Sequence, residues 1–242
     1  ARRFPDRCAV CLNHQEQTMT YRMLWEYSGR LYAWLKKKQI GTESMVLLYM
    51  PKDPKLYVYV LGVMRAGAAF TIVENTTPKA RRDFIRKDSE AQIVLTADMF
   101  DEIMEEQALD GSEIINPHDA AFAVYTSGTT GNPKGVIQEY GNVDLEVRYH
   151  QSHATGQGER HVSVFPAGFV VFVMEFVLEL IRGNTVYIVE PGIYQNLTRF
   201  GEFLEEERIE SVWMTPSMLR HLQSLGKTVK KAMVIAEPAN GL

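Results

Sequence analysis

The sequence predicts an α/β fold: two α/β lobes with largely parallel sheets covered by helices. Short apolar runs bounded by Gly, Pro, Asn or Asp recur along the 242 residues and read as buried strands. Longer amphipathic stretches with apolar positions at helical spacing lie between them. A hydrophobic content of 45% against 23% charged residues suits a globular chain with a sizeable core. Strands that alternate with helices favour parallel pairing, because a parallel neighbour needs a crossover connection. A division into lobes of roughly 1–115 and 116–242 is expected.

In chain order, Ala9-Val10-Cys11-Leu12 fits a first strand. Cys8 and Cys11 have C-x-x-C spacing, which invites a zinc or redox reading. Only His14 stands near as a further ligand, and tetrahedral zinc normally needs four, so the cysteines read as strand and core residues. Thr20 is placed to cap a helix running to about residue 38, with Leu24, Leu31 and Leu35 on one face. Lys36-Lys37-Lys38 fall at its C-terminus, where cations favour the helix dipole. Residues 45–50 read as a strand, and Pro51-Lys52-Asp53-Pro54 turns into a helix ending near Gly67. A strand over 68–73, a helix over 78–89, a strand over 92–95 and a helix over 97–107 follow. Later, helices are expected near 142–151, 168–181 and 196–207, and strands near 161–165, 185–189, 210–213 and 231–236. Thr215 and Pro216 have the types favoured at the cap and first position of a helix.

The densest chemistry lies at Tyr125-Thr126-Ser127-Gly128-Thr129-Thr130-Gly131-Asn132-Pro133-Lys134-Gly135. The strand-like run Ala121-Phe122-Ala123-Val124 precedes it, and the short strand Val136-Ile137 follows. Three glycines let backbone amides approach a ligand and form an anion-binding nest. Thr126, Ser127, Thr129 and Thr130 add hydroxyl donors, and Lys134 adds positive charge. Those are the groups a triphosphate needs. The Walker spacing fails, since Gly135 follows Lys134. Taken alone, a stretch rich in Gly, Ser and Thr also suits a surface hairpin loop.

A net charge of −4 gives no general attraction to nucleic acid or to an anionic membrane. The apolar run 169–174 is far too short to span a bilayer. With no apolar signal segment at the N-terminus, a cytoplasmic protein is expected.

The loop string resembles the phosphate loop of the adenylate-forming enzymes, most like a nonribosomal peptide synthetase adenylation domain. Thr20-Tyr21-Arg22-Met23-Leu24 and Met64-Arg65-Ala66-Gly67-Ala68-Ala69-Phe70 resemble the first two core motifs of such domains. The resemblance implies ATP and Mg²⁺ as cofactors, with Thr126, Ser127, Gly128, Thr129, Thr130, Gly131 and Lys134 binding the phosphates. It implies catalytic roles for Thr130 and Lys134 and a metal contact for Thr130. The implied reaction joins a small-molecule carboxylic acid to AMP and releases pyrophosphate. The acyl group then passes to carrier-protein phosphopantetheine, or to CoA. The family's magnesium glutamate, ribose aspartate and C-terminal catalytic lysine have no counterpart up to Leu242. The chain is therefore expected to correspond to about half of an adenylation domain and to be inactive alone. Lys134 belongs to the phosphate loop and is not that catalytic lysine.

Relatives that activate amino acids carry an aromatic-Asp-x-Ser pattern, with Glu five residues after the Asp and Gly eight after the Glu. Anchoring on Glu175 and Gly183 places Phe169 at the aromatic and Val170 at the Asp, while starting from Phe165 places Pro166 there, and neither alignment offers a carboxylate. The aspartate pairs with the substrate's α-ammonium, and a buried ammonium without a partner is costly. Val170 thus implies an acid lacking an α-amino group: α-keto, α-hydroxy, aryl or aliphatic. The resemblance carries the pocket wall onto Phe169, Val170, Val171, Met174, Trp213, Val234 and Ala236. Val and Met on a helix also suit an ordinary core. An acyl- or aryl-CoA synthetase using free CoA, or a non-catalytic adenylation-like binding domain, are the competing functions.

Overall fold

The computed structural model describes residues 1–12, 17–126, 133–153, 157–221 and 227–235. The chain opens with β1 (Cys8–Leu12), β2 (Gln17–Thr20), α1 (Tyr21–Lys37), β3 (Met45–Tyr49), α2 (Pro54–Arg65) and β4 (Ala69–Val73). Next come α3 (Lys79–Asp88), β5 (Ile93–Thr96), α4 (Phe100–Met104), β6 (Ala120–Thr126), β7 (Lys134–Glu139) and α5 (Tyr140–His153). The remainder holds β8 (Arg160–Ser163), α6 (Val170–Ile181), β9 (Thr185–Ile188), α7 (Pro191–Tyr194), α8 (Leu197–Glu206), β10 (Ser211–Met214), α9 (Pro216–His221) and β11 (Lys231–Val234).

Caps set several of these boundaries. The Thr20 hydroxyl accepts from the Met23 amide at 3.2 Å and starts α1. The Asp53 carboxylate accepts from Leu56 at 3.1 Å, with Pro54 at the first position of α2, where its missing N–H costs nothing. Asn196 starts α8 and Thr215 starts α9 in the same way. The helix expected over 97–107 begins as a 3-10 turn, Ala97–Met99, and ends at Met104. β2 and α7 lacked a clear periodic signal, being short and, in β2, polar.

Two sheets form. One has five strands in the order β5-β3-β4-β6-β7, the other six in the order β11-β10-β8-β9-β1-β2. Pairing is parallel except at β1/β2 and β6/β7. Sheet membership does not change at residue 115. β1 lies beside β9, pairing Val10 with Val186, so the chain's start completes the six-stranded sheet. β6 lies beside β4, pairing Phe70 with Phe122, so residues beyond 115 complete the five-stranded one. A division near 115 therefore cuts across both sheets.

A single apolar core joins the sheets. Val46, Leu48, Phe70 and Phe122 of one sheet and Val10, Val186 and Ile188 of the other belong to it. Helices α2 and α6 meet within it: the Tyr57 ring lies 5.6 Å from Phe172 and 5.4 Å from Phe176. A second cluster, including Phe200, Phe203 and Leu204 of α8, packs with the six-stranded sheet. Cys11 is buried in β1, both cysteines are unbridged, and His14 lies outside the described residues. Among the described residues, no helix is long and apolar enough to cross a membrane.

Candidate active site

The loop singled out by sequence joins two antiparallel strands. Thr126, the last residue of β6, pairs with Lys134, the first of β7. Ser127, Gly128, Thr129, Thr130 and Gly131 lie outside the described residues. The stem is held firmly. A Cβ on Gly135 would come within 3.1 Å of the Tyr125 ring, so glycine there lets the ring pack over β7. The Tyr125 hydroxyl donates to Asp88 at 2.8 Å, and its carbonyl accepts from Arg81 at 2.9 Å. Burial pushes the Tyr125 phenol up, and the Asp88 contact adds to that. Lys134 is exposed on β7.

Thr126 opens onto a cleft of ≈ 620 Å³. It lies at the carboxyl ends of the parallel strands β4 and β6, where open α/β sheets place their ligands. Its opposite wall is the turn between β8 and α6, which brings Phe169 and Val170 into the cleft. Phe169 is 58% exposed and Val170 39%. The structure thus gathers the base of the loop and the first two residues of the expected acid-site wall around one space. Val171 packs against the second apolar cluster, which contains the buried Trp213, and Met174 packs against both clusters. Val234 pairs with Met214, whereas Trp213 pairs with Met233. Side chains alternate along a strand, so Val234 and Trp213 stand on opposite faces of the sheet. The expected wall is therefore not gathered as one set, because the β10/β11 register separates its two strand members. Ala236 lies outside the described residues.

Sequence reasoning missed a buried polar seam beside the cleft. His161 is fully buried in β8. Its Nε2 lies 2.7 Å from Glu175 and its Nδ1 2.9 Å from the Ser211 hydroxyl. The Ser163 hydroxyl donates to the other Glu175 oxygen. Glu179 accepts from Asn184 at 2.5 Å and from Arg182 at 3.3 Å. Lys52, from the β3–α2 loop, reaches across from the other sheet. Its Nζ donates to the Ser163 carbonyl at 3.0 Å, the Ser163 hydroxyl at 2.9 Å and the Phe165 carbonyl at 2.7 Å. Burial pulls the Lys52 ammonium down to about 8, although Glu175 and Glu74 oppose the shift. Burial also disfavours charge on His161, but Glu179 and Glu175 outweigh it and hold the imidazole above its ordinary value. The available signal was two carboxylates four residues apart in the otherwise apolar helix Val170–Ile181, which demands buried partners.

A model of the AMP-binding enzyme family matches residues 1–115 and 101–239. Tyrocidine synthase 1 of Brevibacillus parabrevis is 27% identical over 99% of this chain, which covers 24% of that protein. The N-terminal subdomain of NpsA from Klebsiella oxytoca, in complex with 3-hydroxyanthranilyl-AMSN, superposes with a TM-score of 0.78 at 20% identity. That match covers 90% of this chain and 58% of the other. NpsA-ThdA, an artificially fused adenylation-PCP di-domain from the same organism, gives a TM-score of 0.80 at 20% identity, covering 90% and 46%. The chain therefore spans about a quarter of the length of the curated relative and part of each solved neighbour. By the family model, which covers nearly all of it, the chain belongs to the AMP-binding enzyme family.

Proposed function

We propose that this chain supplies the phosphate loop and much of the acid site of a protein that activates a carboxylic acid as its acyl-adenylate, with release of pyrophosphate. The acyl group is then passed to the thiol of a carrier protein. The observation that carries the reading is the shared cleft, with Thr126 and the loop stem on one wall and Phe169 and Val170 on the other.

The donor set suits a triphosphate: hydroxyls, glycine amides and Lys134 across the β6–β7 hairpin, with Arg81 at the cleft wall. Thr126, Ser127, Thr129, Thr130 and Lys134 would hold the phosphates, and the Thr130 hydroxyl is a hard oxygen ligand of the kind Mg²⁺ takes. ATP with Mg²⁺ supplies an electrophilic phosphorus and a pyrophosphate leaving group. The loop's part is to place donors where charge develops in the transition state. Phe169 shields the carboxylate site from water. Val170 lies beside the acid's α-carbon and offers neither a hydrogen bond nor a counter-charge. An α-ammonium there would lose its hydration without replacement, so the preferred acid has an α-keto, α-hydroxy or unsubstituted α-carbon, or an aryl group. The NpsA-ThdA fusion supports a carrier protein as acceptor.

The test is acid-dependent exchange of pyrophosphate into ATP by the complete protein. Leucine is compared at subsaturating concentration with its α-hydroxy, α-keto and α-unsubstituted counterparts. The acids without an ammonium should win by at least about a hundredfold, the consequence of leaving one charge unpaired. Leucine as the best substrate would overturn the substrate class. No exchange with any acid, aryl acids included, would favour a binding domain. Transfer to CoA in preference to a carrier protein would overturn the acceptor.

A further inference from the structure

The cleft's acid-site wall belongs to the six-stranded sheet, yet it is tied down from the five-stranded one. The segment 164–169 leaves β8 and delivers Phe169 and Val170 to the cleft. Two charged side chains reach it from loops at the carboxyl ends of β3 and β4. Lys52 Nζ holds the Phe165 carbonyl at 2.7 Å and both Ser163 oxygens at the end of β8. The Glu74 carboxylate accepts from the Ala167 amide at 2.7 Å. Between these anchors, Phe165 and Ala167 are buried, whereas Phe169 beyond them is exposed. Ser163 passes the Lys52 contact on to Glu175, which fixes α6 further along. Every donor on Lys52 Nζ is directed at an oxygen, so this lysine is committed to holding protein rather than ligand.

We propose that Lys52 and Glu74 are positioning residues for acid recognition, a two-point clamp that sets where Phe169 and Val170 stand across the cleft from Thr126. The inference rests on the acid-activating reading above. Lys52 does not line the cleft, and Glu74, which does, has its carboxylate engaged by the Ala167 amide. Both act through the 164–169 turn, so their loss should weaken the acid's fit more than that of ATP. Small displacements of a substrate-positioning element are costly because the reacting atoms must meet in near-attack geometry.

Glu74 gives the cleaner experiment, since Glu74→Gln keeps a carbonyl acceptor for the Ala167 amide and Glu74→Ala does not. In the complete protein, Glu74→Ala should raise the KM for the best acid of the leucine-shaped series by about tenfold, equivalent to about one lost net hydrogen bond. The KM for ATP should change less than about twofold. Glu74→Gln should restore most of the acid KM. Amide hydrogen exchange should show faster exchange across 164–169 in Glu74→Ala and near-wild-type protection in Glu74→Gln. Lys52→Met tests the other anchor, and combining it with Glu74→Ala should cost less than the sum, since both hold one turn. An active wild type whose Glu74→Ala variant keeps its acid KM overturns the clamp alone. Equal rises in both KM values overturn it as well. A wild type without acid-dependent exchange overturns the reading beneath it, while unchanged protection at Ala167 in Glu74→Ala would by itself refute the anchor.

Discussion

At the start of α6, Phe169 and Val170 are 58% and 39% exposed, whereas further along the same helix Glu175 and Glu179 are each 1% exposed. The usual partition is reversed within one element: apolar groups meet solvent and carboxylates are buried. The two ends bear different costs. An exposed valine loses only the burial it would have gained. A buried carboxylate must recover its lost hydration from partners, and Glu175 does so from His161 and Ser163 together. The exposed end is thus free to be selected for what it binds. The buried end is committed to tying α6 to β8 and to the turn that follows the helix. Mutations at the two ends should separate stability from activity.

The largest effect is expected at the buried end. Glu175→Ala leaves His161 without its nearest carboxylate and should destabilise the fold by about 3–5 kcal/mol, read from the denaturant midpoint. Phe169→Ser, at the exposed end, should stay within about 0.5 kcal/mol of wild type. Similar losses in both variants would erase the contrast.

The proposed phosphate loop, whose base Thr126 lines the cleft, should behave like the exposed end, with function affected and stability not. Thr130→Ala or Lys134→Ala in the complete protein should each lower turnover by an amount equivalent to about 2.7–4 kcal/mol, the usual cost of one preorganised donor. The KM for the acid should move less. Unchanged turnover in both variants would remove the loop from the chemistry.

Val170→Asp sharpens the comparison by adding charge to the exposed end. It should improve leucine relative to its α-keto counterpart by up to about a hundredfold, or about 2.7 kcal/mol. The relevant measurement is the ratio of kcat/KM values. No shift in that ratio would mean that Val170 does not face the α-carbon.

Much of the fold was legible because each signal was local. The Thr20 and Asp53 caps and the short apolar strands are decided by neighbours in sequence. Sheet membership was not legible. Nothing within residues 8–12 states that their partner lies at 185–188, since that choice is made by tertiary pairing. At the candidate site, composition singled out the stretch that begins at Thr126 and motif spacing singled out Phe169 and Val170, and the three line one cleft. Lys52 and His161 were not legible, because each is isolated in sequence: Lys52 finds its partners only when the two sheets meet, and His161 only when β10 and α6 pack around β8. That Val234 and Trp213 stand on opposite faces was not legible for a related reason: the face depends on the β10/β11 register, which the strand's own residues do not fix.

The smallest expected effect is a pH slope in stability from the buried end. His161 faces Glu175 and Glu179 on α6, Ser211 and Trp213 on β10, and the Lys52 charge from the β3–α2 loop. Burial and Lys52 oppose its charge, but the two glutamates prevail, so its folded value lies above the ordinary 6.5. Below 6.5 both folded and unfolded chains carry the proton, and the imidazolium's contribution is fully present. As pH rises above 6.5 the unfolded chain loses the proton first while the folded chain keeps it. Stability must therefore fall toward the folded value, by at most about 1.4 kcal/mol per pH unit for one proton. Lys52 works in the opposite sense. Its folded value of about 8 lies below the ordinary 10.5, so its contribution grows between those values. The clean window for His161 is thus pH 6.5 to 8, bounded by its own ordinary value and by the onset of Lys52 titration. Urea midpoints of the wild type and of His161→Gln across that window isolate the effect, because the remaining groups contribute to both. The wild-type advantage should shrink as pH rises. An advantage that grows would show that His161 is held neutral, with its partners acting through hydrogen bonds rather than charge.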